Sequence, residues 1–335
     1  MRWAGVMVSD AEGPSPRRRL AERAAFLLAA AILAAGCAKR PPPAAPPAPQ
    51  PPPPPPPPAL CELDRGAGAG SPEGATWIAL LLRGYDAETR HVTVPALDCT
   101  GAQVRWNGPA LACEDGAVAR AALPDRPLAT TDVLATPVSP TRTLVWIPTS
   151  RFASGDALGP VALVEAVGSR LRVLALGPLR AYPQHARLRL EALGERKVLV
   201  AEGELCSSAE PASCVRAARL VPLRDDRFVS EPLLGTDGKC LSPAWFDLSH
   251  QEQRRSETRR ERLELGASLS FGGTHLAIEE QVVVLDLGAN PEGAPARIVH
   301  RAQSTRTVRW VADRLVVSGT SLWTRMTQGR AGVAR

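Results

Sequence analysis

Residues 41–58 read PPPAAPPAPQPPPPPPPP, and no chain can carry such a stretch into a folded core. Each proline fixes φ and lacks the N–H that a helix or a sheet requires, so the segment is expected to run as polyproline II. At ~3.1 Å per residue it reaches roughly 56 Å. It reads as a disordered stand-off linker rather than an unselected repeat. The chain then divides into residues 1–36, residues 37–58 and a body of 277 residues, 59–335. A body of that length buries a sizeable core, as one large domain or two small ones.

Ahead of the linker stands RRRLAERAAFLLAAAILAAGC, residues 17–37. Arg17, Arg18, Arg19 and Arg23 precede 13 uncharged residues, Ala24 to Gly36. That run is too short to span ~30 Å of hydrocarbon but suits the apolar region of a secretory signal. Lys39, Arg40 and proline follow it, which argues against a transmembrane anchor. The run closes on Leu33-Ala34-Ala35-Gly36-Cys37, which resembles the lipobox of bacterial lipoproteins. The resemblance implies that residues 1–36 are a signal peptide and that Cys37 becomes the lipidated N-terminus, with a membrane as partner. The family prefers leucine where Ala34 stands, a small departure. Ala38 in place of aspartate implies export to the outer membrane, on its periplasmic or its surface face. Met1 and Met7 both fit as the start, and Arg17-Arg18-Arg19-Leu20 faintly resembles a twin-arginine signal.

The seven cysteines support the same address. With Cys37 acylated, six remain: Cys61, Cys99, Cys113, Cys206, Cys214 and Cys240. Six is even, and an oxidising periplasm keeps disulfides. Cys206 and Cys214 flank a polar loop between apolar arms, the layout of a stapled hairpin. Cys99 and Cys113 bracket a segment that Asn107-Gly108 can fold back on itself. Cys61–Cys240 then follows by elimination. There is no CxxC, and no histidine lies at ligand spacing from a cysteine pair, so no metal and no cofactor are expected.

The formal charge of +6 falls to about +4 once residues 1–36 are set aside. Both signs are interspersed in what remains, without the aromatic-interleaved basic patch that binds nucleic acid, so none is expected as a partner. Only 3 of the 40 basic residues are lysine, a skew that reads as GC-rich bacterial codon usage.

The body alternates in the manner of strands, broken every ~8–12 residues by Gly, Pro or Asp. Trp77–Leu82 and His91–Val94 read as a hairpin around a charged turn, and Gln103–Trp106 as another piece. Thr143–Ile147, Val161–Val167, Leu171–Leu176, Ala186–Leu193, Lys197–Glu204 and Val215–Leu223 continue the pattern. Arg227–Val229, Leu269–Phe271, His275–Leu287, Arg297–His300, Thr305–Val311, Arg314–Ser318 and Ser321–Met326 complete it. The fold class is therefore all-β, either irregular and propeller-like or a sandwich or barrel of antiparallel hairpins. Residues 249–262, SHQEQRRSETRRER, lack an apolar stripe and read as a solvated loop or short helix, or else as a docking face for an acidic partner or lipid headgroups.

Catalytic patterns were not found. Gly266-Ala267-Ser268-Leu269-Ser270 lacks the last glycine of a nucleophile elbow. The histidines His91, His185, His250, His275 and His300 stand singly, and no HExxH, Walker loop or GxGxxG occurs. Glu279 and Glu280 are neighbours in a strand and point to opposite faces. The expected protein is a lipid-anchored envelope lipoprotein, a non-enzymatic module binding a protein or a glycan. The alternative is an envelope hydrolase acting on cell-wall or external polymer.

Overall fold

Two-residue turns set the architecture. Gly168-Ser169, Gly194-Glu195, Asp225-Asp226, Gly273-Thr274 and Ala312-Asp313 each join strands whose last and first residues pair directly. Ala312 and Asp313 both take positive φ, 44° and 64°, the primed turn whose twist matches the flanking strands. The computed structural model describes residues 58–68, 70–106, 113, 123, 126–206, 214–241, 245–255, 260–288 and 296–328. All of these lie within the unit Pro56–Arg335.

The elements begin with β1 (Cys61–Asp64), α1 (Gly74–Leu81), β2 (Leu82–Asp86) and β3 (His91–Asp98). β4 (Leu134–Pro137), β5 (Arg142–Trp146), β6 (Ser150–Arg151), β7 (Ala157–Val167) and β8 (Arg170–Ala181) follow. Next come β9 (Gln184–Leu193), β10 (Arg196–Cys206), β11 (Cys214–Arg224), β12 (Arg227–Phe228) and β13 (Leu234–Gly235). The last are β14 (Phe246–Arg255), β15 (Arg260–Gly272), β16 (His275–Asp286), β17 (Arg297–Val311), β18 (Arg314–Val317) and α2 (Leu322–Gln328).

The protein is all-β. Sixteen strands form one sheet, in the order β13-β18-β17-β16-β15-β14-β11-β12-β8-β7-β5-β4. β1 and β6 attach to β8 and β7, β10 lies between β11 and β9, and β2–β3 form a separate hairpin. Apart from that hairpin, the described strands make one bonded network and do not divide into propeller blades. Its halves meet where β12 passes parallel to β8, with Arg227 opposite Leu176. Gly177 makes that approach feasible, since a Cβ there would stand 2.0 Å from the Phe228 carbonyl oxygen.

Strands β5, β7 and β8 are apolar on both faces because both are covered. Val145, Ala162 and Val173 pack with α1, while Leu144, Val161 and Ala175 pack towards Leu199 and Phe228. A third cluster joins Val198, Leu220 and Phe246 to Ile278, Val308 and Val317. A fourth places Leu322 and Trp323 of α2 on Leu263, Leu265, Val282 and Val284.

Four expectations need correction. Trp77–Leu81 are helical, because a strand would expose alternate residues of this apolar run. The helix buries Trp77, Ile78, Leu80 and Leu81 together. Leu322–Gln328 is likewise a helix, burying the adjacent Leu322 and Trp323. Residues 249–262 are neither loop nor helix: apart from 256–259, which lie outside the described residues, they belong to β14 and β15. There charges alternate with buried Leu263 and Leu265, and Arg254–Glu252 and Arg262–Glu264 pair within their strands at 2.8 and 2.7 Å.

The fourth correction concerns the cysteines. Cys206 pairs with Cys214 in the β10–β11 register, as the hairpin reading expects. The other two bridges are Cys61–Cys99 and Cys113–Cys240, not Cys99–Cys113 and Cys61–Cys240. The reversal comes earlier than Asn107-Gly108, which lie outside the described residues. Asp98 Oδ1 accepts the N–H groups of Thr100 and Ala102 at 2.9 and 3.0 Å, turning the chain directly after Cys99. Cys99 is thereby held in the core beside α1 and β1, where Cys61 waits.

Candidate functional site

Alternation along β16 and β17 sends two ionisable groups inward among hydrophobic neighbours. Glu280 shares a face with Ile278 and Val282, and Arg306 shares one with Val308. Their side chains are 1% and 5% exposed, and Arg306 Nη2 donates to Glu280 Oε1 at 2.5 Å. Glu280 also accepts the Leu322 N–H at 2.8 Å and the Ser321 hydroxyl at 3.1 Å, which fixes the start of α2. Arg306 Nε–H, also buried, has no acceptor among the described residues.

Arg306 lines a cleft of about 450 Å³. One wall is the turn after β13, where Asp237 Oδ1 accepts the Lys239 N–H at 3.1 Å and Gly235 N donates to Lys239 O at 2.8 Å. Thr320, Ser321 and Thr324 line it as well, as do Trp245 and Asp247. The lining therefore mixes donors and acceptors, Lys239 and Arg306 with Asp237 and Asp247, together with the hydroxyls of Thr320, Ser321 and Thr324.

Rings and a guanidinium group pack around Trp245, which lines this cleft. The Arg219 guanidinium lies 4.5 Å from the Trp106 centroid and 4.0 Å from that of Trp245. Tyr182 stacks on Trp245 at 4.6 Å. Two groups so close to one ring cannot share a face, so both faces of Trp245 are occupied and it serves as a wall, not a stacking platform. Burial pushes the Tyr182 hydroxyl above its usual range; the Asp156 and Asp247 carboxylates add to this, and Arg219 and Arg180 oppose it. Asp156 in turn is ion-paired with Arg180, both nearly inaccessible, and Arg180 lies 4.4 Å over Phe152.

A second hollow of about 100 Å³ lies beside β3 and β6 and is lined by His91, Arg126, Asp132 and Arg151 among others. Asp132 pairs with Arg126 and, at 3.1 Å, with Arg151. Burial, then the charge of Arg126, lowers the pKa of Arg151, while Asp132 opposes the shift. Its volume is below the ~300 Å³ at which ligand pockets begin.

Of the residues singled out in the sequence, Cys37 lies outside the described residues. Glu204, Cys206 and Cys214 gather within metal-binding reach, but both sulfurs are spent in a disulfide and supply no thiolate. Ser268 lies within β15, not at an elbow. His250 stacks on Trp323 at 4.5 Å, and its Nδ1 is 3.6 Å from Asp247. Sequence reasoning missed Asp247, Trp245, Arg219 and Tyr182. It also missed Arg306 and weighed Glu280 only against its neighbour Glu279; the signal of both was a charge at an inward position of an alternating strand. No protein family, curated protein or solved structure matches the chain.

Proposed function

We propose that the protein is a lipid-anchored lipoprotein of the cell envelope whose β body holds a glycan in the Asp247–Arg306 cleft. The observation that carries this reading is the partition of the cysteines. The three bridges use all six cysteines of the body, leaving Cys37 of the seven for the lipid. Such bridges belong to an oxidising compartment. Cys37 ties the chain to the membrane, and the proline arm spaces the body from it.

The cleft supports the ligand class. Sugar hydroxyls both donate and accept, which suits a lining that holds the Asp247 carboxylate together with the Thr320 and Thr324 hydroxyls. A second reading, an envelope hydrolase acting on cell-wall or external polymer, is favoured by Asp237 and Asp247 lining one cleft, since glycoside hydrolysis uses two carboxylates.

Titration calorimetry with cell-wall glycan fragments and neutral oligosaccharides, followed by mass spectrometry of the sugar, tests both. Binding that leaves the sugar intact and weakens about tenfold or more in Asp247→Ala is the expected result. Shortened chains that vanish in Asp247→Ala would establish the hydrolase. Absence of any binding would remove the glycan.

A further inference from the structure

Strand β17 is covered unequally by its neighbours. β16 pairs along it from Arg297 to Val308, whereas β18 pairs only from Val308 to Val311. Thr307 is still closed off by Ser318, through Ser318 N to Thr307 O and Thr307 N to Ser318 Oγ, both 2.8 Å. Ahead of that point, no described strand lies on the outer side of Arg297–Arg306. Alternate residues of an antiparallel strand direct their N–H and C=O groups outward, so this stretch offers a row of backbone groups unpaired among the described residues.

The usual protections of such an edge are thin here. No proline falls between 297 and 306. One bulge occurs at Val299, and from His300 onward the register with β16 is unbroken. Ile298 and Val299 are 52% and 49% exposed, an apolar pair at the open end. The strand's own ionisable residues in this stretch are Arg297, His300, Arg301 and Arg306; on β16 Asp286 stands opposite Arg297 and Glu279 opposite Thr305, while Arg301 faces Val283 and has no carboxylate across from it. Glu280 engages Arg306, while Arg325 reaches the strand from α2, donating to Ser304 Oγ at 2.9 Å.

We propose that the outer edge of β17, Arg297–Thr305, takes an extended acidic segment of a partner protein as an added strand. Backbone hydrogen bonds supply the affinity, and carboxylates opposite Arg297 and Arg301 supply the choice of partner. A second copy of this chain fits worse. Its own 297–306 stretch would bring only cations to the edge and no carboxylate to meet Arg297 or Arg301.

The test uses the mature protein and a fluorescent peptide alternating glutamate and valine, read by anisotropy. The peptide should bind saturably, and a lysine-for-glutamate peptide about tenfold more weakly, the effect of two cross-strand charge pairs. Methylating every second backbone nitrogen of the acidic peptide keeps its charge, and one of the two possible phases should abolish binding. Arg297→Glu combined with Arg301→Glu, at exposed positions, should reverse the preference to the lysine peptide. Equal binding of both methylated peptides would reduce the contact to surface charge and overturn strand addition. A preference unchanged in the double variant, or a dimer that the peptide dissociates, would also overturn the proposal.

Discussion

Arg306 and Glu280 meet diagonally across β17 and β16 at 2.5 Å, Arg306 standing opposite buried Ile278 and Glu280 opposite Ser304, and the same carboxylate holds the Leu322 N–H at the start of α2. Removing one partner strands the other in the core, which costs about 3–5 kcal/mol. Glu280→Ala should therefore lower the unfolding free energy by that amount in urea titration and also loosen α2. The combined Glu280→Leu and Arg306→Met variant should recover much of the loss, because a buried pair exchanges for apolar side chains at little cost. Equal instability of the single and double variants would contradict the pairing.

The three bridges close loops of very different length. Their sequence separations are 127 for Cys113–Cys240, 38 for Cys61–Cys99 and 8 for Cys206–Cys214. Chain entropy alone assigns them about 5, 4 and 2.5 kcal/mol in that order. Mass mapping of non-reduced peptides should recover these pairs. The paired serine variant of Cys113 and Cys240 should then lose the most stability, and the variant of Cys206 and Cys214 the least.

Tyr182 gives the protein an alkaline limit. Its hydroxyl is held above the usual ~10 by burial first, then by Asp156 and Asp247, so the unfolded chain releases this proton at lower pH than the native one. The contribution is fully present below the unfolded value and is lost as pH rises through the folded one. Thermal midpoints measured upward from about pH 9 should fall more steeply in the native protein than in Tyr182→Phe. Parallel curves would show that burial of this phenol does not set the limit.

Most of the strands and their turns were legible because period-two alternation and Gly or Asp at two-residue turns are local signals. Gly168, Gly194 and Gly273 each stand at a positive-φ turn position. Helices α1 and α2 were not legible. Residues 77–81 and 322–326 are short apolar runs without a helical repeat, and only the sheet beneath them decides their form. The charged hairpin of β14 and β15 was hidden for the opposite reason, since its buried apolar positions, Phe246 and Leu248 on one strand and Leu263 and Leu265 on the other, lie outside the charged run 249–262. Cys61–Cys99 depends on a turn made by the Asp98 side chain, and Cys113–Cys240 on a separation of 127 residues, beyond any local pattern. The cleft draws Asp237, Asp247, Arg306 and Thr324 from four places in the chain, so its composition emerges only in the fold.

Metabolic labelling with a clickable fatty-acid analogue is the most direct test of the anchored-lipoprotein reading, comparing the native chain with Cys37→Ser. The native protein should carry the label and sediment with membranes. Cys37→Ser should lose the label and membrane retention while keeping its three body disulfides. Label that persists on Cys37→Ser, or a native chain that never acquires it, would contradict the account.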